Sequence, residues 1–220
     1  MQTDTFRKLL PFSGIIAALL FAASFFYASS GPQIADDNHA KVIAYYVDNS
    51  AKIGIINIIC GLLACFFLAP LLTELRATLR SGEAGESIYS TLFLIGGTIL
   101  VAMTALMAMF TTVTANAADV GVPGEGVLTL AAIVDYTWMP WVVGMAITQW
   151  AVGLGGLRTA SLPKPLAWFS VVLGVLCLAG PGGILAFFLF PIWLIATSIV
   201  LMRRPSGARA PVASPAAAAA

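Results

Sequence analysis

Charge is what this chain has least of. Of its 220 residues only 10% are Asp, Glu, Lys or Arg, against 60% that are hydrophobic, where soluble domains carry roughly a quarter charged residues. Water cannot be the solvent for most of such a surface. The formal net charge is +1, with lysines and arginines scattered around apolar blocks, which excludes the basic field that nucleic acid requires. Histidine is almost missing: His39 stands alone, so bis-histidine haem and histidine-rich metal centres are excluded. Cys60, Cys65 and Cys177 all lie inside apolar runs and form neither a disulfide framework nor a metal signature. Every lysine lies near a helix end or in a loop, so no buried Schiff-base lysine is available. No glycine loop has the lysine or strand context of a phosphate cradle, and no serine sits in a nucleophile elbow. No cofactor and no bound metal are therefore expected.

What the chain has instead is long apolar runs. Crossing roughly 30 Å of hydrocarbon takes about 20 helical residues, and such segments lie near 11–29, 53–75, 90–114, 130–157, 165–180 and 183–202. The fifth is short. Only Gly180, Pro181, Gly182 and Gly183 separate it from the sixth, which makes the pair a tight helical hairpin. The expected fold class is an all-α, polytopic transmembrane helix bundle of about six spanning helices.

Basic residues near helix ends stay on the cytoplasmic side. Arg7 and Lys8 precede the first segment, Arg76 and Arg80 follow the second, Arg158 and Lys164 link the fourth and fifth, and Arg203, Arg204 and Arg209 follow the sixth. All nine fall on one side of a six-span layout, which puts both termini in the cytoplasm. Only Lys41 and Lys52 fall on the other, beside Asp36, Asp37, Asp48, Asp119 and Glu125. A competing reading makes residues 1–29 a cleaved signal peptide, with small residues at Ala28, Ser29 and Ser30. The apolar stretch from Pro11 to Ala28 exceeds the usual 7–15 residues of such a peptide, which favours a retained helix.

In the first outer loop, Asp36 to Lys52 reads as a short amphipathic helix. Asp36 or Asp37 can cap it, and Val42, Ile43, Tyr46 and Val47 form an apolar face for the membrane surface or the other outer loop. It runs into the second spanning helix. Residues 205–220 are an Ala/Pro-rich low-complexity tail, expected to be disordered.

Stripes of small residues mark close helix contacts in lipid, where no hydrophobic force drives helices together. Gly14, Ala18 and Ala22 form one. Thr98, Ala102 and Ala105, beside Thr104, Ala108 and Thr111, form another, and Gly144, Thr148, Ala151 and Gly155 a third. Each can serve as an internal seam or as a dimer face. Met103, Met107 and Met109 read as packing residues rather than a soft-metal site.

An ionisable group in a bilayer is costly and is a functional candidate by default. Asp135 is the one candidate, flanked by Tyr136, Trp138 and Trp141, with Pro140 freeing the carbonyl of Tyr136 and kinking the helix. Gln149 returns to within roughly 40° of the same face, and Asn57 in the second helix can face them. The three residues could line a pathway. Against that, Trp138 and Trp141 resemble an interfacial aromatic belt, which would leave Asp135 an ordinary interfacial carboxylate. Asp36, Asp37 and His39 crowd together outside the membrane, where a helix start attracts acids anyway.

The run AKVIAYY from Ala40 to Tyr46, the helix ending LLTELRATLR from Leu71 to Arg80, and the hairpin after LPKPLAWFSVVLG from Leu162 to Gly174 together resemble uncharacterised actinobacterial integral membrane proteins. The resemblance implies a six-helix layout in a bacterial inner (plasma) membrane and carries no activity to transfer. Three functions stay open. The first is a non-catalytic protein acting through packing, contact with membrane lipids, or association with another membrane protein or a second copy. The second is a small transporter or channel using Asp135, Gln149 and Asn57. The third, a lipid enzyme, has only the Asp36, Asp37 and His39 group to draw on.

Overall fold

The computed structural model describes residues 10–28, 31–32, 38–85, 87–180 and 182–203, and among them every regular element is helical. In chain order these are α1 Phe12–Ala28, α2 His39–Ile56, a π-helical stretch Asn57–Leu62, α3 Leu63–Gly82, α4 Ile88–Asp119, α5 Gly124–Tyr136, α6 Trp138–Thr159, α7 Lys164–Leu178 and α8 Gly182–Met202. Four continuous helices are long and apolar enough to cross a membrane: His39–Gly82, Ile88–Asp119, Gly124–Thr159 and Gly182–Met202. The other two apolar runs form shorter helices, α1 of 17 residues and α7 of 15. The expectations placed on Arg7, Lys8, Ser29, Ser30, Asp36, Asp37, Pro181, Arg204, Arg209 and the 205–220 tail lie outside the described residues.

Six apolar segments close into a ring in chain order: α1 packs on α3, α3 on α4, α4 on α6, α6 on α7, α7 on α8, and α8 back on α1. Small residues set the approach. A side-chain carbon on Gly144 would lie 2.8 Å from the backbone nitrogen of Leu100, and one on Gly96 would lie 2.7 Å from that of Thr148. The Gly144 stripe is thus the internal α4–α6 seam. A carbon on Gly14 would meet Leu71 and the Ser198 hydroxyl, so α1 sits equally close to α3 and α8.

Aromatic side chains fill the ring. Trp141 stacks on Phe187 with centroids 4.0 Å apart, Phe21 stacks on Trp141 at 5.5 Å, and Phe190 meets Trp141 edge-on at 5.4 Å. This corrects the expectation that Trp141 belongs to an interfacial belt, since it is fully buried while Trp138 stays partly exposed. Its indole N–H donates to the Thr104 hydroxyl at 3.0 Å, which itself donates to the Leu100 carbonyl at 2.8 Å. With its polar atom satisfied inside, nothing holds the ring system at an interface.

The helices end together on the side carrying Arg80, Arg158 and Arg203: Gly82 lies against Thr159 and Ser161, and Arg158 reaches the Tyr89 hydroxyl at 3.3 Å. They do not end together on the other. His39–Gly82 has 44 residues, Ile88–Asp119 has 32 and Gly124–Thr159 has 36, or about 66, 48 and 54 Å at the helical rise. Their surplus over the other helices forms an extension built from the start of α2, the end of α4, and α5. Val42, Ala115, Val127 and Ala131 are its buried centre, and the Ser50 hydroxyl donates to Asp119 at 3.2 Å. Val42 and Ile43 of the expected apolar face of α2 therefore rest in this extension, Ile43 against Gly124, whereas Val47 stays exposed.

The helix expected over residues 36–52 runs into the second apolar segment, and from His39 the two form one 44-residue helix rather than a loop helix and a span. No proline interrupts the chain between Lys52 and Leu62, and the π-helical stretch absorbs the change in register without ending the helix. It begins at His39, capped by Asn38, whose side-chain oxygen accepts from the Lys41 N–H at 3.0 Å. α4 ends on Gly121, at φ +78°, with Val122 N–H bonding the Ala117 carbonyl and Gly121 N–H that of Ala118. Only a left-handed residue permits that pair of bonds, and glycine adopts it without strain.

Candidate functional site

The polar residues singled out above take three different positions. Asp135 lies in the last turn of α5 and is exposed. The helical ladder is interrupted just beyond it, where Thr137 N–H and its hydroxyl both turn to the Val134 carbonyl, at 3.2 and 2.7 Å. Pro140, which leaves Tyr136 without its helical donor, accounts for this break. Asp135 acts electrostatically on Tyr46, in the extension beyond the apolar part of its helix. Burial, then the Asp135 charge, then Tyr45 push the Tyr46 phenol up to about 12.

Gln149 lies 14 residues further along the same helical run, about 21 Å away, so it and Asp135 do not meet. It is fully buried, and neither its amide nitrogen nor its oxygen finds a hydrogen-bond partner among the described residues. One turn on, a side-chain carbon at Gly153 would press on the backbone of Val171 and Ala167, so this face of α6 turns toward α7. Asn57 opens the π-helical stretch, is buried, and donates its amide to the Ile53 carbonyl of its own helix at 2.9 Å.

Most other polar groups in the ring are likewise spent locally. Thr98, Thr104, Thr111, Thr112, Thr148, Ser170 and Ser198 each donate to the carbonyl four residues back, at 2.7–3.0 Å. Trp193 repeats the Trp141 pattern by donating to the Ser170 hydroxyl at 2.8 Å. Among the described residues no three His, Cys, Asp or Glu side chains gather within reach of one ion. Met103 and Met107 pack against the core and Met109 is exposed.

Two features had no signal in the stripe reading. Glu83, in the loop before α4, accepts from the N–H of Tyr89 at 2.6 Å and of Ser90 at 3.2 Å, and from the Ser90 hydroxyl at 2.5 Å. It supplies both bonds and negative charge to the start of that helix. Seven residues separate Glu83 from Ser90, so no capping-box spacing announces it. The second feature is a groove of about 390 Å³ between the outward faces of α3 and α4, lined by small and apolar residues with Arg76 as its one charged residue. Thr98 and Ala102 of the second stripe lie in its wall, whereas Thr104 and Ala108 are buried inside the bundle.

No family model matches this chain, and neither does any curated protein or solved structure.

Proposed function

We propose that this is a multi-pass membrane protein of six spans that performs no catalysis and acts through helix packing, lipid contact or association with a membrane partner. Arg76, Arg80, Arg158, Lys164 and Arg203 share one end, and the bias of basic residues toward the cytoplasmic side supports a topology with that end and both termini in the cytoplasm and the extension outside. A bacterial inner membrane of the kind implied by the actinobacterial resemblance is the proposed location. The observation that carries the reading is the fate of the polar side chains: hydroxyls and the Asn57 amide close onto their own helices rather than converging on a substrate.

One observation favours the second reading, a small transporter or channel using Asp135, Gln149 and Asn57. A buried amide with no partner costs about 1–3 kcal/mol, so Gln149 is where a hydrated path would begin. Native mass spectrometry from nanodiscs, comparing wild type with Asp135→Asn, separates the two. Spectra that agree and show only lipids, a second copy or a partner protein support the packing role. A small solute held by the wild type and lost in the variant overturns it.

A further inference from the structure

The groove between α3 and α4 has the form of a lipid site. Its walls are Ala69, Leu72 and Thr73 from α3 and Gly97, Val101 and Ala102 from α4, and it holds one cation, Arg76, and no carboxylate. The two helices run antiparallel, with Gly97 against Leu72 at 3.3 Å. This pairing sets Arg76 level with Phe93, five residues or about 8 Å from the start of α4. The groove runs from there to Ala102, nine residues along α4 or about 14 Å deeper. It is therefore charged at the end where headgroups lie and apolar along its depth. Thr73 and Thr98 return their hydroxyls to the carbonyls of Ala69 and Leu94, at 2.9 and 2.8 Å, so the walls present methyl groups and small side chains.

We propose that this groove binds an anionic phospholipid, with the phosphate on Arg76 and one acyl chain along the small-residue floor. The inference rests on the membrane reading above, with the basic end at headgroup depth. Charge favours a lipid over a second copy. A two-fold symmetric contact between copies inserted the same way round brings equivalent surfaces together. It would set Arg76 near its own equivalent, at an end where Arg80, Arg158, Lys164 and Arg203 outnumber the described carboxylates Glu74 and Glu83, the second of which is taken up by the start of α4. An anionic lipid brings its negative charge to that depth, and an arginine stem reaches the phosphate with its apolar part still in the groove.

The test uses the full chain in membranes, then in nanodiscs of equimolar phosphatidylglycerol and phosphatidylcholine. Alkaline extraction comes first: a protein released from the membrane overturns both this inference and the membrane reading. Native mass spectrometry of the retained protein then reads the bound lipid. The expected result is preferential retention of phosphatidylglycerol, reduced about fivefold in Arg76→Gln, the effect of one interfacial cation. It should also fall in Ala69→Phe, which fills the groove and leaves the charge, and be unchanged in Arg158→Gln. Equal retention of both lipids, equal loss in Arg76→Gln and Arg158→Gln, or a dimer that dissociates in Ala69→Phe without a change in lipid overturns the inference while the protein stays membrane-bound.

Discussion

Two faces of α4 carry small residues, and they do opposite things. Toward α6, Gly96 sits so close to Thr148 that an added carbon would lie 2.7 Å from a backbone nitrogen. Toward the outside, Thr98 and Ala102 line an open groove. Gly96 and Thr98 are two residues apart, about 200° around the helix. Small side chains pointing at a neighbouring backbone allow a seam, whereas small side chains pointing outward beside a neighbour leave a valley. Residue type alone does not distinguish the two.

The largest expected effect probes the seam through its aromatic lock. Trp141→Ala removes a fully buried indole bonded to Thr104 and should cost about 3–5 kcal/mol in equilibrium unfolding in mixed micelles. Trp168→Ala, at a residue 58% exposed, should stay within about 0.5 kcal/mol. Equal losses would erase the contrast between inside and outside. Gly144→Ala forces a carbon against the Leu100 backbone and should cost about 1–3 kcal/mol, while Ala102→Ser in the valley should leave the same transition unmoved.

On another face of α6 the sign reverses. Gln149→Met keeps the volume and removes two partnerless polar atoms, so stability should rise by about 1–3 kcal/mol. A loss on the same measurement would show that the amide is held by something the packing reading omits. A smaller effect is expected at the start of α4, which supports both faces: Glu83→Gln keeps hydrogen-bonding capacity but removes the charge at a helix N-terminus, costing about 0.3–1 kcal/mol in low salt. High salt should narrow the difference between the two proteins.

The extension should behave as a packed unit like the seam. The folded protein holds the Tyr46 proton more tightly than an unfolded chain does, at about 12 against the ordinary 10.0. The associated stability is therefore complete below pH about 10 and is lost as pH rises toward about 12. Asp135→Asn removes the second cause and leaves burial, so a tyrosinate absorbance titration should show the Tyr46 midpoint lowered but still above that of an exposed tyrosine. An unchanged midpoint would separate α5 from α2.

The helical class and the apolar runs were legible because a bilayer imposes length and composition on any segment that crosses it. The Gly144 stripe was legible as a contact, but its partner was not, since spacing along one helix says nothing about which neighbour it meets. Trp141 was misplaced because its sequence neighbourhood, with Trp138 two residues beyond the end of α5, looks interfacial, and only partners on other helices, Phe21, Phe187 and the Thr104 hydroxyl, show otherwise. Asp135, Gln149 and Asn57 were grouped by helical angle, which gives a shared face but not the burial that separates an exposed Asp135 from a buried Gln149 14 residues along the axis. The groove and the Glu83 cap were invisible because each needs two segments folded together.

The unequal helices carry a mechanical consequence for the surrounding lipid. α7, α8 and α1 are consecutive around the ring, and among the described residues the two flanking helices, at 15 and 17 residues, measure about 22 and 25 Å. On the opposite arc, α3, α4 and α6 belong to helices far longer than the hydrocarbon is thick. If α1 and α7 cross the membrane, the leaflets must pinch by about 5–8 Å along one side to meet them. The protein would then sit as a wedge in bilayer thickness, with shorter-chained lipids or similarly short helices collecting at its thin edge.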